Sequence, residues 1–245
     1  MSIVTNAVIA AAGMGSRIGL GMPKCMIEIQ GVTLLSRMLA ALVGQVEHVF
    51  LVVGYRENLV AEYCRRHHPE VILVRNPDFA TTNTAASYGI AARYLQGKTL
   101  FIDGDLIVNP ASLAAFLQQA EDCPLLVGIT PASSDNAVLV SHQGDTITGF
   151  TAQQGESAAY EWANLFVGDG RVFESADGFV YESLNAFLPA RCAAVELCEI
   201  DTQADYQRAC AFVQTLDYWQ HQQTIANSPV ASREKDGITS DVSCI

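Results

Sequence analysis

The sequence predicts an α/β fold, a mainly parallel sheet flanked by helices, and three features carry that expectation. Short apolar runs alternate with helix-period segments from Ala7 to Gln119, the pattern of right-handed βαβ units. The first apolar run opens directly into a loop carrying Gly13 and Gly15, and glycines there let the backbone turn tightly and bring N–H groups up to an anion. From Leu125 the texture changes to short strands joined by polar turns, which predicts a small β-rich lobe built onto the sheet.

In chain order, Ala7 to Ala12 reads as a buried strand and Glu28 to Gly31 as a short strand and turn. Leu34 to Leu42 has helical spacing and meets small residues at Gly44. His48 to Gly54 is a buried type of strand, followed by a helix from about Asn58 to His67 and a strand at Val71 to Val74. Thr84 to Leu95 reads as a helix and Thr99 to Ile102 as a strand; Pro110 to Gln119 is a helix with proline in its first turn. Leu125 to Thr130, Ala137 to His142 and Thr146 to Phe150 are the short strands of the lobe. Tyr160 to Val167 then returns as a strand, Val180 to Phe187 as a helix, Val195 to Ile200 as a last strand and Thr202 to Leu216 as the closing helix. Residues 1–225 are expected to form one domain; 226–245 are polar and aperiodic, and are expected to be a disordered tail or linker.

Half of the 245 residues are hydrophobic, so a sizeable core forms without disulfide staples. A formal net charge of -12, with no basic stripe, argues against nucleic acid as a general partner. Seven scattered cysteines (Cys25, Cys64, Cys123, Cys192, Cys198, Cys210 and Cys244) contain no C-x-x-C pair, which points to reduced thiols and a cytoplasmic setting. Met1 to Thr5 carries no basic signal-peptide start. No apolar run approaches the roughly 20 residues of a membrane span, so no membrane insertion is expected. The oligomeric state stays open, a homodimer included.

The chemistry gathers in Asn6 to Lys24, NAVIAAAGMGSRIGLGMPK. Arg17 and Lys24 place two cations beside the glycines, which suits a polyphosphate. A dinucleotide fingerprint needs a third glycine where Ile18 stands, and no Gly-Lys-Ser/Thr run of a P-loop exists. Asp103-Gly104-Asp105 follows a strand directly, at the carboxyl edge where ligands of open parallel sheets bind. Two carboxylates there suit a hard cation, which an acidic chain needs in order to hold a triphosphate. Glu199 and Asp201 end the last expected strand, on one face if the strand runs through both. Asp201 also suits the N-cap of the following helix, as does Thr202.

The G-x-G-S-R…P-K loop (Gly13 to Lys24), D-G-D (Asp103 to Asp105) and E-I-D-T-x-x-D-Y (Glu199 to Tyr206) stand in the order used by the nucleotidyltransferases. The chain resembles that family over most of its length, and within it the cytidylyltransferase branch typified by bacterial CTP:phosphocholine cytidylyltransferases. The stretch ATTNTAASY, which lacks the Gln and Gly-Thr pair of larger sugar-nucleotide pyrophosphorylases, favours that smaller branch. The resemblance implies a Rossmann-like fold over 1–225 with an acceptor-binding lobe, and an activity that moves CMP from CTP to a small phosphorylated or phosphonate acceptor, releasing pyrophosphate. It implies Mg²⁺ on Asp105 and Asp201, with Lys24 and Arg17 completing the catalytic set. Ala11, Ala12, Gly13, Met14, Gly15, Ser16, Arg17, Lys24, Thr82, Asn83, Ser87 and Asp103 are the implied nucleotide contacts. Thr82 and Asn83 serve equally well as caps for the helix from Thr84.

For the acceptor, Tyr160, Trp162 and Tyr181 suit a cation–π cage around a quaternary ammonium, with Glu182 and Glu199 adding negative charge. A core role for the rings and a solvated helix face for Glu182 are the competing readings. Two other functions stay open: a sugar- or polyol-phosphate nucleotidyltransferase using UTP, dTTP or CTP, and a nucleotide-binding protein without turnover.

Overall fold

Strand β1 (Asn6–Ala11) lies inside a nine-stranded sheet because its run of Ala, Val and Ile can be covered on both faces. The structure is a computed structural model that describes residues 3–15, 19, 21–133, 137–152, 158–173 and 178–216. Ser16, Arg17 and the expected tail at 226–245 lie outside the described residues. After β1 come a hairpin of β2 (Glu28–Ile29) and β3 (Val32–Thr33), helix α1 (Leu34–Leu42), β4 (His48–Val53), α2 (Glu57–His67) and β5 (Ile72–Arg75). Thr33 caps α1 by accepting the Ser36 N–H. Helix α3 (Thr84–Ala92), β6 (Thr99–Asp103), β7 (Leu106–Val108) and α4 (Pro110–Gln118) complete the first half.

Strands β5, β4, β1 and β6 run parallel in that order, with Asn6 beside His48 on one side and Thr99 on the other. The second half comprises β8 (Leu126–Pro131), β9 (Leu139–Gln143), β10 (Thr146–Thr151), β11 (Tyr160–Gly168), α5 (Val180–Asn185), β12 (Ala190–Ala194), β13 (Leu197–Glu199) and α6 (Gln203–Thr215). The β-rich lobe is continuous with the main sheet. Strand β11 pairs antiparallel with β6, β8 follows, and the β9–β10 hairpin closes the far end. Helices α1, α2 and α4 cover one face through Leu35, Met38, Val60 and Phe116. Helices α3 and α5 cover the other, where Tyr88, Phe101, Phe166 and Phe173 pack together.

The expected last strand at Val195 to Ile200 is shorter: only Leu197–Glu199 is a strand there, and the strand before it, Ala190–Ala194, was not expected. Strand β12 enters the main sheet beside β8, and the chain breaks at Glu196, whose backbone is held by Ser112 and Asn109 at 2.9 Å each. Strand β13 then pairs with β7 instead, setting Glu199 opposite Leu106. The Ile200 N–H donates to the Asp105 carbonyl at 3.1 Å. That pairing carries the second acidic motif to the first.

Candidate active site

Beyond the carboxyl ends of β1 and β6 lies a cavity of about 260 Å³. The loop after β1 lines it with Ala11, Ala12, Gly13, Gly15 and Lys24; the start of α3 contributes Thr82, Asn83 and Ser87, and the end of β6 adds Asp103 and Asp105. Met14 is exposed on the same loop, outside that lining. Two glycines are required by close approach. A Cβ on Gly15 (φ +58°) would lie 2.9 Å from Lys24 Cγ. One on Gly104 would lie 2.7 Å from the Ala10 carbonyl, to which the Gly104 N–H donates at 2.9 Å. Lys24 follows Pro23 and opens a single helical turn, Lys24–Met26, so its side chain leaves a rigid base.

Lys24 Nζ donates to Asp105 Oδ2 at 2.7 Å and also to Asp201 Oδ1. Burial alone would lower the lysine pKa, but Asp105 and Asp201 outweigh it and raise it above the usual range. Asp201 does not cap α6; Thr202 does, accepting the Asp205 N–H. Glu199, expected beside the acceptor, joins the same cluster: carboxylate oxygens of Asp105, Glu199 and Asp201 lie within 4.8 Å of one another. Burial, then Asp105 and Asp201, push Glu199 up to about 8. Burial, then Asp105, push Asp103 up to about 7. Asp105 Oδ1 is buried with no hydrogen-bond partner among the described residues. Three carboxylates, one with an orphaned oxygen, form a donor set that fits a hard divalent cation. Cys25 does not fit a nucleophile: burial, then Cys64 and Asp105, push its thiol up to about 12.

Sequence reasoning missed three polar residues. The buried Tyr88 hydroxyl donates to Asp103 Oδ1 at 2.5 Å. Asn164 adopts φ +53° in an irregular stretch of β11 and donates Nδ2 to Glu199 Oε2 at 3.1 Å. Asn76 is buried, and its Nδ2 donates to Thr82 Oγ1 and Ser87 Oγ at 3.0 Å each. An asparagine inside the apolar run YEWANLFV was the available signal for Asn164, since this side chain tolerates left-handed backbone. Asn83 both caps α3, accepting the Ala86 N–H at 3.1 Å, and lines the cavity.

The residues expected at the acceptor do not line this cavity. Trp162 is a core side chain, 7% exposed, with its indole N–H 3.4 Å from the Leu165 carbonyl. It belongs to the same buried cluster as Phe166. Tyr160 meets His142 edge-on, and Tyr181 lies 6.5 Å from Phe150. Glu182 is engaged at the start of α5, where its Oε2 accepts the Phe179 N–H at 2.8 Å.

A lysine and acidic cluster beside a glycine loop, at the carboxyl edge of a parallel sheet, place the chain among proteins that handle nucleoside phosphates. It belongs to the family described as the MobA-like NTP transferase domain, which matches residues 7–169, more than half of the chain. The chain is similar to the 2-aminoethylphosphonate cytidylyltransferase of Lancefieldella rimae, 34% identical over 110 residues, 43% of this chain and 44% of that protein. It is 33% identical over 118 residues to the CMP-5'-(3-aminopropyl)phosphonate synthase of Streptomyces rubellomurinus, covering 46% of this chain and 19% of that one. The matched stretch thus spans less than half of either relative. In fold it is similar to the inositol-1-phosphate CTP transferase from T. maritima, with a TM-score of 0.70 at 20% identity over 93% of this chain and 98% of the other. The CTP:phosphocholine cytidylyltransferase from Streptococcus pneumoniae also has a TM-score of 0.70, at 16% identity over 86% and 99%.

Proposed function

We propose that this chain is a Mg²⁺-dependent cytidylyltransferase that moves CMP from CTP to a small phosphorylated or phosphonate acceptor bearing an amine. The observation that carries the reading is the meeting of Lys24, Asp105 and Asp201 beside the glycine loop. Similarity to two enzymes named for aminoalkylphosphonate substrates supports the acceptor class. An acceptor oxygen attacks the α-phosphorus in line; the new P–O bond forms as the bond to the β-phosphate oxygen breaks, and pyrophosphate leaves with the electron pair. A phosphate monoester, with a second pKa of roughly 6, is already an anion at neutral pH, so no general base is needed.

The residues then position and neutralise. Lys24 meets the non-bridging oxygens of the α-phosphate, and Gly13 to Arg17 hold the departing phosphates. Asp105 and Asp201 would hold Mg²⁺, with Glu199 beside them; when bound, the ion neutralises charge that grows on the α-phosphate. Tyr181 and Tyr160 remain candidates for the acceptor side, with Phe150 close to Tyr181. Residues 1–225 form the nucleotidyltransferase domain and 226–245 a polar tail in this reading. The unpatterned cysteines support a cytoplasmic setting in this reading, and among the described residues no helix is long and apolar enough to cross a membrane.

The test is pyrophosphate release from CTP, UTP, ATP and GTP with Mg²⁺, each offered phosphocholine, 2-aminoethylphosphonate and a sugar 1-phosphate. CTP is expected to exceed UTP by about tenfold or more, the discrimination of one well-made polar contact. Preference for a sugar 1-phosphate with UTP or dTTP would move the chain to the sugar-nucleotide branch.

A further inference from the structure

Among the described residues, the cavity is charged at one end only. Lys24, Asp103 and Asp105 stand over β6 and the glycine loop, whereas Phe79, Thr82, Asn83 and Ser87 form a wall without formal charge. The loop that carries Phe79 follows β5, and the sheet order β5-β4-β1-β6 keeps the two ends apart. From β4, where Phe79 packs, to β6 is two strand spacings, about 10 Å. A phosphate chain is drawn to the end that holds the lysine and a cation. The nucleoside attached to it is left facing the neutral wall. Phe79 is the one aromatic ring among the described residues that line the cavity.

Several contacts set that ring in place. A Cβ on Gly54, just past β4, would lie 2.5 Å from Phe79 Cβ and 3.0 Å from the Ala12 carbonyl. Only glycine there lets Phe79 close against the end of β1. Asn76, 1% exposed, keys the loop from below: its N–H donates to the Val53 carbonyl at 2.8 Å, and its Oδ1 accepts the Asp78 N–H at 3.0 Å. The Asp78 carbonyl in turn accepts the Thr81 and Thr82 N–H groups at 3.0 and 3.1 Å, closing a tight turn around Phe79. Tyr55 lies with its ring centroid 6.3 Å away. A half-buried ring anchored this firmly by backbone and a buried amide lines the cavity from a fixed position.

We propose that Phe79 is the surface on which the base of the bound nucleotide stacks. The inference rests on the reading that CTP occupies this cavity. Every base has a π-face, so the ring supplies affinity for the nucleoside, while choice among bases falls to the polar groups around it. The test is titration calorimetry of wild type, Phe79→Ala and Phe79→Tyr with CTP and with inorganic tripolyphosphate, both with Mg²⁺. Phe79→Ala is expected to weaken CTP binding about tenfold, the loss of one base–aromatic stack. Tripolyphosphate, which has no base, is expected to bind as before, and Phe79→Tyr to restore CTP binding. Equal CTP affinity in wild type and Phe79→Ala overturns the inference and leaves the proposed function standing. Parallel loss of both ligands makes the ring merely structural and also overturns it. A wild type that binds no CTP overturns the function and the inference together.

Discussion

Lys24 is held between carboxylates of Asp105 and Asp201, three side chains drawn from positions up to 177 residues apart. Each was legible in the sequence because it is a charged residue beside a turn or a strand end: P-K, D-G-D and E-I-D. What the charges do to one another was not legible, because the balance of burial and neighbours that raises Lys24 depends on tertiary distance. Lys24→Ala is expected to lower kcat by about a hundredfold or more, as loss of one preorganised donor does. The KM for CTP should change far less, because in the proposed mechanism the lysine meets charge that grows in the transition state. Steady-state kinetics check this; an unchanged kcat removes the role. Tyr88 and Asn164 were not legible, for a different reason. Tyr88 reads as part of an apolar helix face and Asn164 stands out only as a polar residue in an apolar run, and only the fold shows a polar atom aimed at Asp103 or Glu199.

At the scale of elements, two features shape the site. Strand β11 shifts register between Trp162 and Phe166, and Asn164 sits in that shift with left-handed backbone. Asn164→Gly keeps the backbone and loses the amide, whereas Asn164→Ala also carries a conformational cost of roughly 1 kcal/mol. Denaturant unfolding is expected to rank the alanine variant below the glycine variant by about that amount. The second feature is the seam between α1 and α2. His68 Nε2 lies 2.7 Å from Ser36 Oγ, which also meets the Tyr63 hydroxyl at 2.8 Å; Glu70 is 3.6 Å from His68 Nδ1, and His67 adjoins. Burial, with His67 adding to it, lowers the His68 pKa below its ordinary 6.5 despite Glu70. The unfolded chain therefore takes up this proton before the folded protein does. The contribution of neutral His68 is complete above pH 6.5 and is lost as pH falls through the lower folded value. Thermal melts should show wild type losing more Tm than His68→Gln between neutral pH and mildly acid pH. Equal losses would mean that His68 does not titrate in that window. None of this seam was read from the sequence, where His67 and His68 are simply the end of a helix.

The whole molecule carries a formal net charge of -12, and three of its carboxylates converge at Asp105, Glu199 and Asp201. A divalent cation bound there stabilises the folded state only, by about 2.7 kcal/mol at a hundred times its Kd. Mg²⁺ added without nucleotide is expected to raise Tm, EDTA to reverse the rise, and Asp201→Asn to abolish most of it; a Tm indifferent to Mg²⁺ in wild type would count against the site. At this scale the sequence by itself determined the parallel half of the sheet and the glycine loop. Local information suffices there: apolar periodicity marks each strand, and the crossover helices leave few ways to order them. It also pointed to Lys24, Asp105 and Asp201, which flank turns or strand ends, though it set Glu199 beside the acceptor instead of with them. Only the tertiary structure decided that the chain leaves the main sheet after Ala194 and forms β13 apart from it, because the choice of β7 as partner for β13 is a long-range pairing that no local pattern encodes. Through that pairing Glu199 reaches Asp105 and Asp201 reaches Lys24. Only the tertiary structure, likewise, put Trp162 in the core. An aromatic residue on a strand reads alike whether its face meets a ligand or a second layer of side chains, and here α3, α5 and the Phe101–Phe166 stack supply that layer.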